Sequence, residues 1–181
     1  MQRHLRGLAV LACLAAAFPA WAQTPPNQPP PPASPTAIGG AKGWLAYSYH
    51  EKGGKTCYLA GHPAKTLPSG AARGRVDAVI AHRLGDKAYN VVTFDLGYAA
   101  KDGTKAELAI DGKKYQLFVE KNAAWASDSP TDKAITEALA RGRAATLKAI
   151  SARGVATTDT YLLDGFGQAL EAIDKACNYK R

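Results

Sequence analysis

The 181-residue sequence is poor in the residues and spacings on which most catalytic and metal sites are built. It has three cysteines and four histidines, and no Cys-x-x-Cys or His-x-x-x-His pair among them. Structural zinc is ordinarily held by such closely spaced pairs, so His50, His62 and His82 do not read as a metal site and no cofactor is expected. There is no Gly-x-Ser-x-Gly elbow and no phosphate-binding glycine loop, which removes the commonest signatures of hydrolases and nucleotide enzymes. Beyond the N-terminal segment no apolar run approaches the roughly 20 residues that span a bilayer, and no internal repeat is visible.

The N-terminal segment is distinctive. Arg3, His4 and Arg6 precede an apolar run from Leu8 to Phe18, and Ala20-Trp21-Ala22 then offers the small-x-small pattern that signal peptidases cut. Residues 1–22 therefore read as a cleavable signal peptide. Two alternatives are a retained anchor, for which the apolar core of about a dozen residues is short, and lipid attachment at Cys13. Residues 23–37 follow as a proline-rich linker, with Pro25, Pro26, Pro29 to Pro32 and Pro35, a composition that favours polyproline II and cannot bury a core.

Residues 38–181 are the right size for one domain. Without Arg3 and Arg6 the chain carries 21 Lys+Arg against 15 Asp+Glu, a modest excess that suits an anionic partner surface. Segments rich in β-branched and aromatic residues predict strands at 44–49, 56–60, 76–84, 88–94, 105–110, 115–120, 144–151 and 157–162, with Asp111-Gly112 as a hairpin turn. Short strands joined by short turns predict an all-β sandwich. Trp44, Trp125, Tyr98 and Tyr161 are read as its packing residues.

Two stretches have helical spacing instead. Ser129-Pro130 supplies a capping hydroxyl and a first-turn proline for a short helix that stops at Gly142. Phe166, Leu170, Ile173 and Cys177 share one face of a second helix, so Cys177 points at the core. Loss of Cys13 with the signal leaves Cys57 and Cys177. In an oxidising compartment such a pair is expected to bridge, stapling the C-terminal helix to the sandwich; two free buried thiols are the alternative.

Ser151-Ala152-Arg153-Gly154, Thr157 to Tyr161, Leu163, Gly165-Phe166 and the run from Ala169 to Cys177, preceded in order by Cys57-Tyr58, Pro63, Pro68, His82-Arg83, Asn90, Gly97-Tyr98 and Asp111-Gly112, resemble the invasion-associated locus B family. Leu84 and Leu162 depart from the proline and serine usual there, so the loop after His82 is expected to differ. The resemblance implies an immunoglobulin-like β-sandwich with one or two short helices, a periplasmic or cell-surface location and a part in bacterial contact with host cells. It implies no catalytic residues.

Two sets of residues remain as candidates for interaction. Alternation places His82 with Ala78 and Ile80 on an apolar face, where an imidazole is ordinarily hydrogen-bonded to backbone or carboxylate and can also serve as a pH sensor. Lys101, Lys105, Lys113, Lys114 and Lys121 flank the hairpin and can either attract phosphate, lipid headgroups or acidic glycan, or guard a sheet edge. No recognition helix or stacking motif points to nucleic acid. The expectation is an exported, non-enzymatic envelope or surface protein contacting an envelope or host macromolecule, with a periplasmic binding or chaperone-like module that takes up a segment at a sheet edge as the alternative.

Overall fold

The computed structural model describes residues 34–51, 53–70 and 72–181. The expected signal peptide and nearly all of the proline-rich linker lie outside them. The element order is β1 (Thr36–Ala41), β2 (Trp44–Glu51), β3 (Gly54–Gly61), β4 (Lys65–Leu67), β5 (Asp77–Arg83), β6 (Ala88–Asp95), β7 (Lys105–Ile110), β8 (Lys113–Glu120), β9 (Ala123–Trp125), α1 (Ser129–Arg141), β10 (Ala144–Ile150), β11 (Ala156–Leu162) and α2 (Phe166–Ala176). All eight expected strands and both helices are present. β1 begins at Thr36, inside the stretch assigned to the linker, and β4 and β9 are additional strands of three residues each.

The expected β-sandwich is present, its two layers being the halves of one open antiparallel sheet in the order β1-β2-β3-β5-β6-β9-β8-β7-β10-β11-β4. Short β9 makes the join: Trp125 pairs with Thr93 of β6 on one side and with Phe118 of β8 on the other. Twist carried across so many strands curls the sheet until its inner faces meet. Trp44 of β2 packs edge-on against Phe166 of α2, its ring centroid is 6.4 Å from that of Tyr161 on β11, and its indole N–H donates to the Leu162 carbonyl at 2.9 Å. One core cluster therefore draws on both halves and on the apolar faces of both helices. Trp44 reaches across because Gly61, its cross-strand partner, has no side chain; a Cβ there would lie 2.5 Å from the indole.

The helices close what the strands leave open. Asp128, not Ser129, caps α1: its carboxylate accepts the Thr131 N–H at 2.7 Å. The acid is the better placed acceptor, being one residue further from Pro130. Helix α1 then lies along the stretch of β6 that β9 does not reach, where Asp132 accepts the Val92 N–H at 2.8 Å and the Thr136 hydroxyl donates to the Asn90 carbonyl. Helix α2 starts at Gly165, which has φ +89° and sits where a Cβ would be 2.3 Å from the Ala41 carbonyl oxygen, so only glycine lets the helix enter this close to β1.

Candidate functional site

Cys57 lies on the inner face of β3, directly opposite His82 on β5, and Cys177 follows the last turn of α2. The two sulfurs are bonded, with Cα atoms 6.0 Å apart and 120 residues between them in sequence. Lys55 seals the junction by donating to the Ala176 carbonyl at 2.7 Å, placing a cation at the negative end of the helix.

His82 is fully buried beside this bridge. Its Nδ1 accepts the Asn90 backbone N–H at 3.0 Å, so the proton sits on Nε2, which donates to Asp174 at 2.7 Å. Asp174 also takes two bonds from Arg181, which donates in turn to the Asn90 side chain at 2.8 Å. Asn90 has φ +58° and donates to the Tyr179 hydroxyl, and the Tyr179 ring lies 4.8 Å from His82 and 5.0 Å from Tyr89. Burial pushes the Asp174 carboxyl up, but the bonds from His82 and Arg181 outweigh it and hold the group below its ordinary value. Both imidazole nitrogens are thus spent on joining β5, β6 and the C-terminal segment.

A second polar joint ties the two halves of the sheet. Arg73, in the segment between β4 and β5, makes a two-pronged ion pair with buried Asp159 of β11 at 2.7 and 2.8 Å and donates twice to the Leu96 carbonyl. Nothing local in the sequence marks this pair. His62 and Arg75 both engage buried Asp77, while His50 lies exposed at the β2–β3 turn, so the histidines do not converge. Among the described residues no group of three or more His, Cys, Asp or Glu is arranged to hold a metal.

The five lysines of the hairpin region do not form one patch. Lys101, Lys105 and Lys121 stand at one end, where the Lys121 carbonyl accepts the Ala100 N–H, while Lys113 and Lys114 stand at the other. Five register positions separate the ends, about 17 Å. Lys113 lies over the Tyr115 ring on the inner side, and Lys114 pairs with Glu107 at 3.2 Å. Pairing in register instead gathers a different set. Lys105 and Lys114 share the outer face of β7 and β8 with Lys148, opposite Glu107 on β10, and with Lys65, opposite Thr160 on β4. All four are exposed, and this face of the five strands carries two acids, Glu107 on β7 and Glu120 at the end of β8. A shallow depression of about 320 Å³ between Lys105, Glu107, Lys148 and Thr158 lies at its centre. Alternation along 144–150 could have indicated Lys148; Lys65 was hidden because β4 is too short to show a period.

The family model for Invasion associated locus B (IalB) protein matches residues 44–174, from the first residue of β2 to the acid that holds His82. The chain belongs to the IalB family. Comparison with curated proteins and with solved structures returns no match. The disulfide fits an extracellular or periplasmic location for this IalB-family domain, and among the described residues no helix is long and apolar enough to cross a membrane.

One acid in the IalB-family domain carries a testable pH signature. Burial raises Asp132 to about 6, although the Val92 N–H opposes the shift. A folded-state value above the unfolded one means the native state holds the extra proton, so this group's contribution to stability falls as pH rises from about 4 to 6. Asp132→Asn keeps the acceptor and removes the charge. It is expected to flatten that part of the stability profile, by about 1 kcal/mol once solvent screening of a half-buried group is allowed for, as urea unfolding at pH 4.5 and 7 would read.

Proposed function

We propose that this IalB-family protein is an exported, non-enzymatic envelope protein that contacts an anionic macromolecule through the outer face of β7, β8, β10, β11 and β4. The observation that carries the reading is the set Lys65, Lys105, Lys114 and Lys148 against the two acids Glu107 and Glu120 on one exposed sheet face. A bent sheet face of this kind offers spaced cations and threonine hydroxyls to phosphate, carboxylate or sulfate groups. Its attraction is long-range and salt-sensitive. The non-enzymatic part is supported by the way the buried polar groups are used, since His82, Asp174, Arg73 and Asp159 all saturate one another. The family's association with entry into host cells makes a host or envelope polyanion the natural class of partner.

The test is binding to phosphatidylglycerol vesicles and to immobilised heparin, with phosphatidylcholine vesicles as control. Retention that weakens with salt is expected, and the triple variant Lys65→Glu, Lys105→Glu, Lys148→Glu is expected to lose at least about tenfold in affinity with unchanged thermal stability. Equal binding by the variant, or none by the natural protein at low salt, would contradict the proposal.

An edge-binding mode has one structural observation in its favour. The sheet is open and ends in β1 on one side and β4 on the other. β4 is short and bears Lys65 before Pro68, features that discourage strand addition, which leaves β1 as the edge for such a mode.

A further inference from the structure

Most large apolar side chains among the described residues are inside, and several of the exceptions stand together. Alternation along β8 and β10 sends Leu117, Leu147 and Ala149 inward and leaves Phe118 and Ile150 on the outer face, 43% and 36% exposed. Register aligns the two. Phe118 lies opposite Lys105 on one side and half-buried Trp125 on the other, and because Lys148 lies opposite Glu107, Ile150 falls at the level of Lys105. Trp125, Phe118, Lys105 and Ile150 thus form one row across β9, β8, β7 and β10, about 14 Å long at the usual strand spacing. Val155, 43% exposed, stands beside Ile150 in the turn joining β10 to β11, held there by its N–H to the Ser151 hydroxyl at 3.1 Å and its carbonyl to the Ser151 N–H at 2.9 Å. Single exposed apolar residues are ordinary on a protein surface; a row of them at one end of a sheet is a candidate contact.

The same end of the sheet is basic. The chain entering β7 is drawn in here by backbone bonds, with the Ala100 N–H donating to the Lys121 carbonyl at 2.7 Å and the Lys101 N–H to the Ile150 carbonyl at 2.9 Å. Lys101, Lys105, Lys121, Lys148 and Arg153 are all exposed on these strands and turns, against the acids Asp102, Glu107 and Glu120. Glu107 is already paired with Lys114. An apolar row bordered by long cationic side chains matches the surface of an anionic bilayer, where rings and aliphatic groups enter the boundary between headgroups and acyl chains while ammonium and guanidinium groups stay with the phosphates. A soluble polyanion would use the charges alone and would leave the row bare.

We propose that this end of the sheet is a lipid-docking surface, in which Phe118, Ile150 and Val155 enter the interfacial layer of an anionic bilayer and Lys101, Lys105, Lys121 and Arg153 hold its phosphates. The inference rests on the anionic-partner reading of the same sheet face and names that partner as a lipid surface. Binding then has two parts: attraction between charges, which salt weakens, and burial of the apolar row, which salt leaves in place.

The test is quenching of tryptophan fluorescence by phosphatidylglycerol vesicles whose acyl chains carry bromine near the headgroup end, with the protein purified from its native envelope. Quenching is expected, and Trp125→Phe is expected to remove it, because Trp44 is buried. The variant Phe118→Thr, Ile150→Thr, Val155→Thr keeps strand-forming side chains at exposed positions, so its thermal unfolding is expected to be unchanged. Its affinity for the vesicles is expected to fall at least about tenfold while its retention on heparin stays the same. Unquenched Trp125, or equal vesicle affinity in the variant, with heparin retention intact, would overturn the lipid inference and leave the anionic-partner reading standing. Absence of binding to both vesicles and heparin by the natural protein would overturn both.

Discussion

Replacing both Cys57 and Cys177 by alanine is expected to cost up to about 5 kcal/mol of unfolding free energy. The bridge closes a loop of 120 residues, and the chain-entropy relation puts a constraint of that length near this figure, with native strain and residual unfolded structure able only to reduce it. Single domains of this size hold about 5–15 kcal/mol in total, so the loss is a large share of the whole. It corresponds to a fall of about 10–20 °C in Tm. Both sulfurs are buried, so alanine at these positions adds a small cavity to the lost constraint. Calorimetry of the oxidised protein and of the double variant measures the difference; a shift under about 3 °C would show that α2 docks without help from the bridge.

The second large effect is expected at Arg73. Its guanidinium is nearly buried, Asp159 is buried more fully still, and the pair bridges the β4–β5 segment to β11 while also satisfying the Leu96 carbonyl. Arg73→Ala strands a carboxylate in the interior, which costs about 3–5 kcal/mol for a broken buried pair. The double variant Arg73→Met, Asp159→Leu removes both charges together and is expected to recover most of that loss. Urea unfolding of Arg73→Ala and of the double variant distinguishes the cases. A double variant as unstable as Arg73→Ala would mean that the arginine acts through the Leu96 carbonyl and its stacking on Tyr98, 4.9 Å away, more than through Asp159.

These two joints show which parts of the molecule could be read in the sequence. The disulfide was legible because it rests on local facts: the 4-3-4 spacing of Phe166, Leu170, Ile173 and Cys177 marks a buried helix face, and two cysteines remain once the expected signal is cleaved. The long strands were legible for the same reason. β4 and β9 were not, because three residues cannot display an alternation, and yet β9 is what turns two layers into a single sheet. The Arg73–Asp159 pair joins positions 86 residues apart and is fixed only by how the halves curl together. The lysines show the same limit: closeness in sequence grouped Lys113 with Lys105, whereas strand register groups Lys148 and Lys65 with it instead. His82 on an apolar face could be read from alternation, but its carboxylate, Asp174, comes from the far end of the chain and α2 alone delivers it.

The most direct test of the functional account is a lysine-acylation footprint, read by mass spectrometry, of the protein in its isolated native envelope and after purification. The account predicts that Lys65, Lys105, Lys114 and Lys148 are acylated several-fold more slowly in the envelope, while exposed Lys87 and Lys133 on other elements react equally in both. Equal reactivity of all six lysines, or protection confined to Lys87 and Lys133, would contradict it.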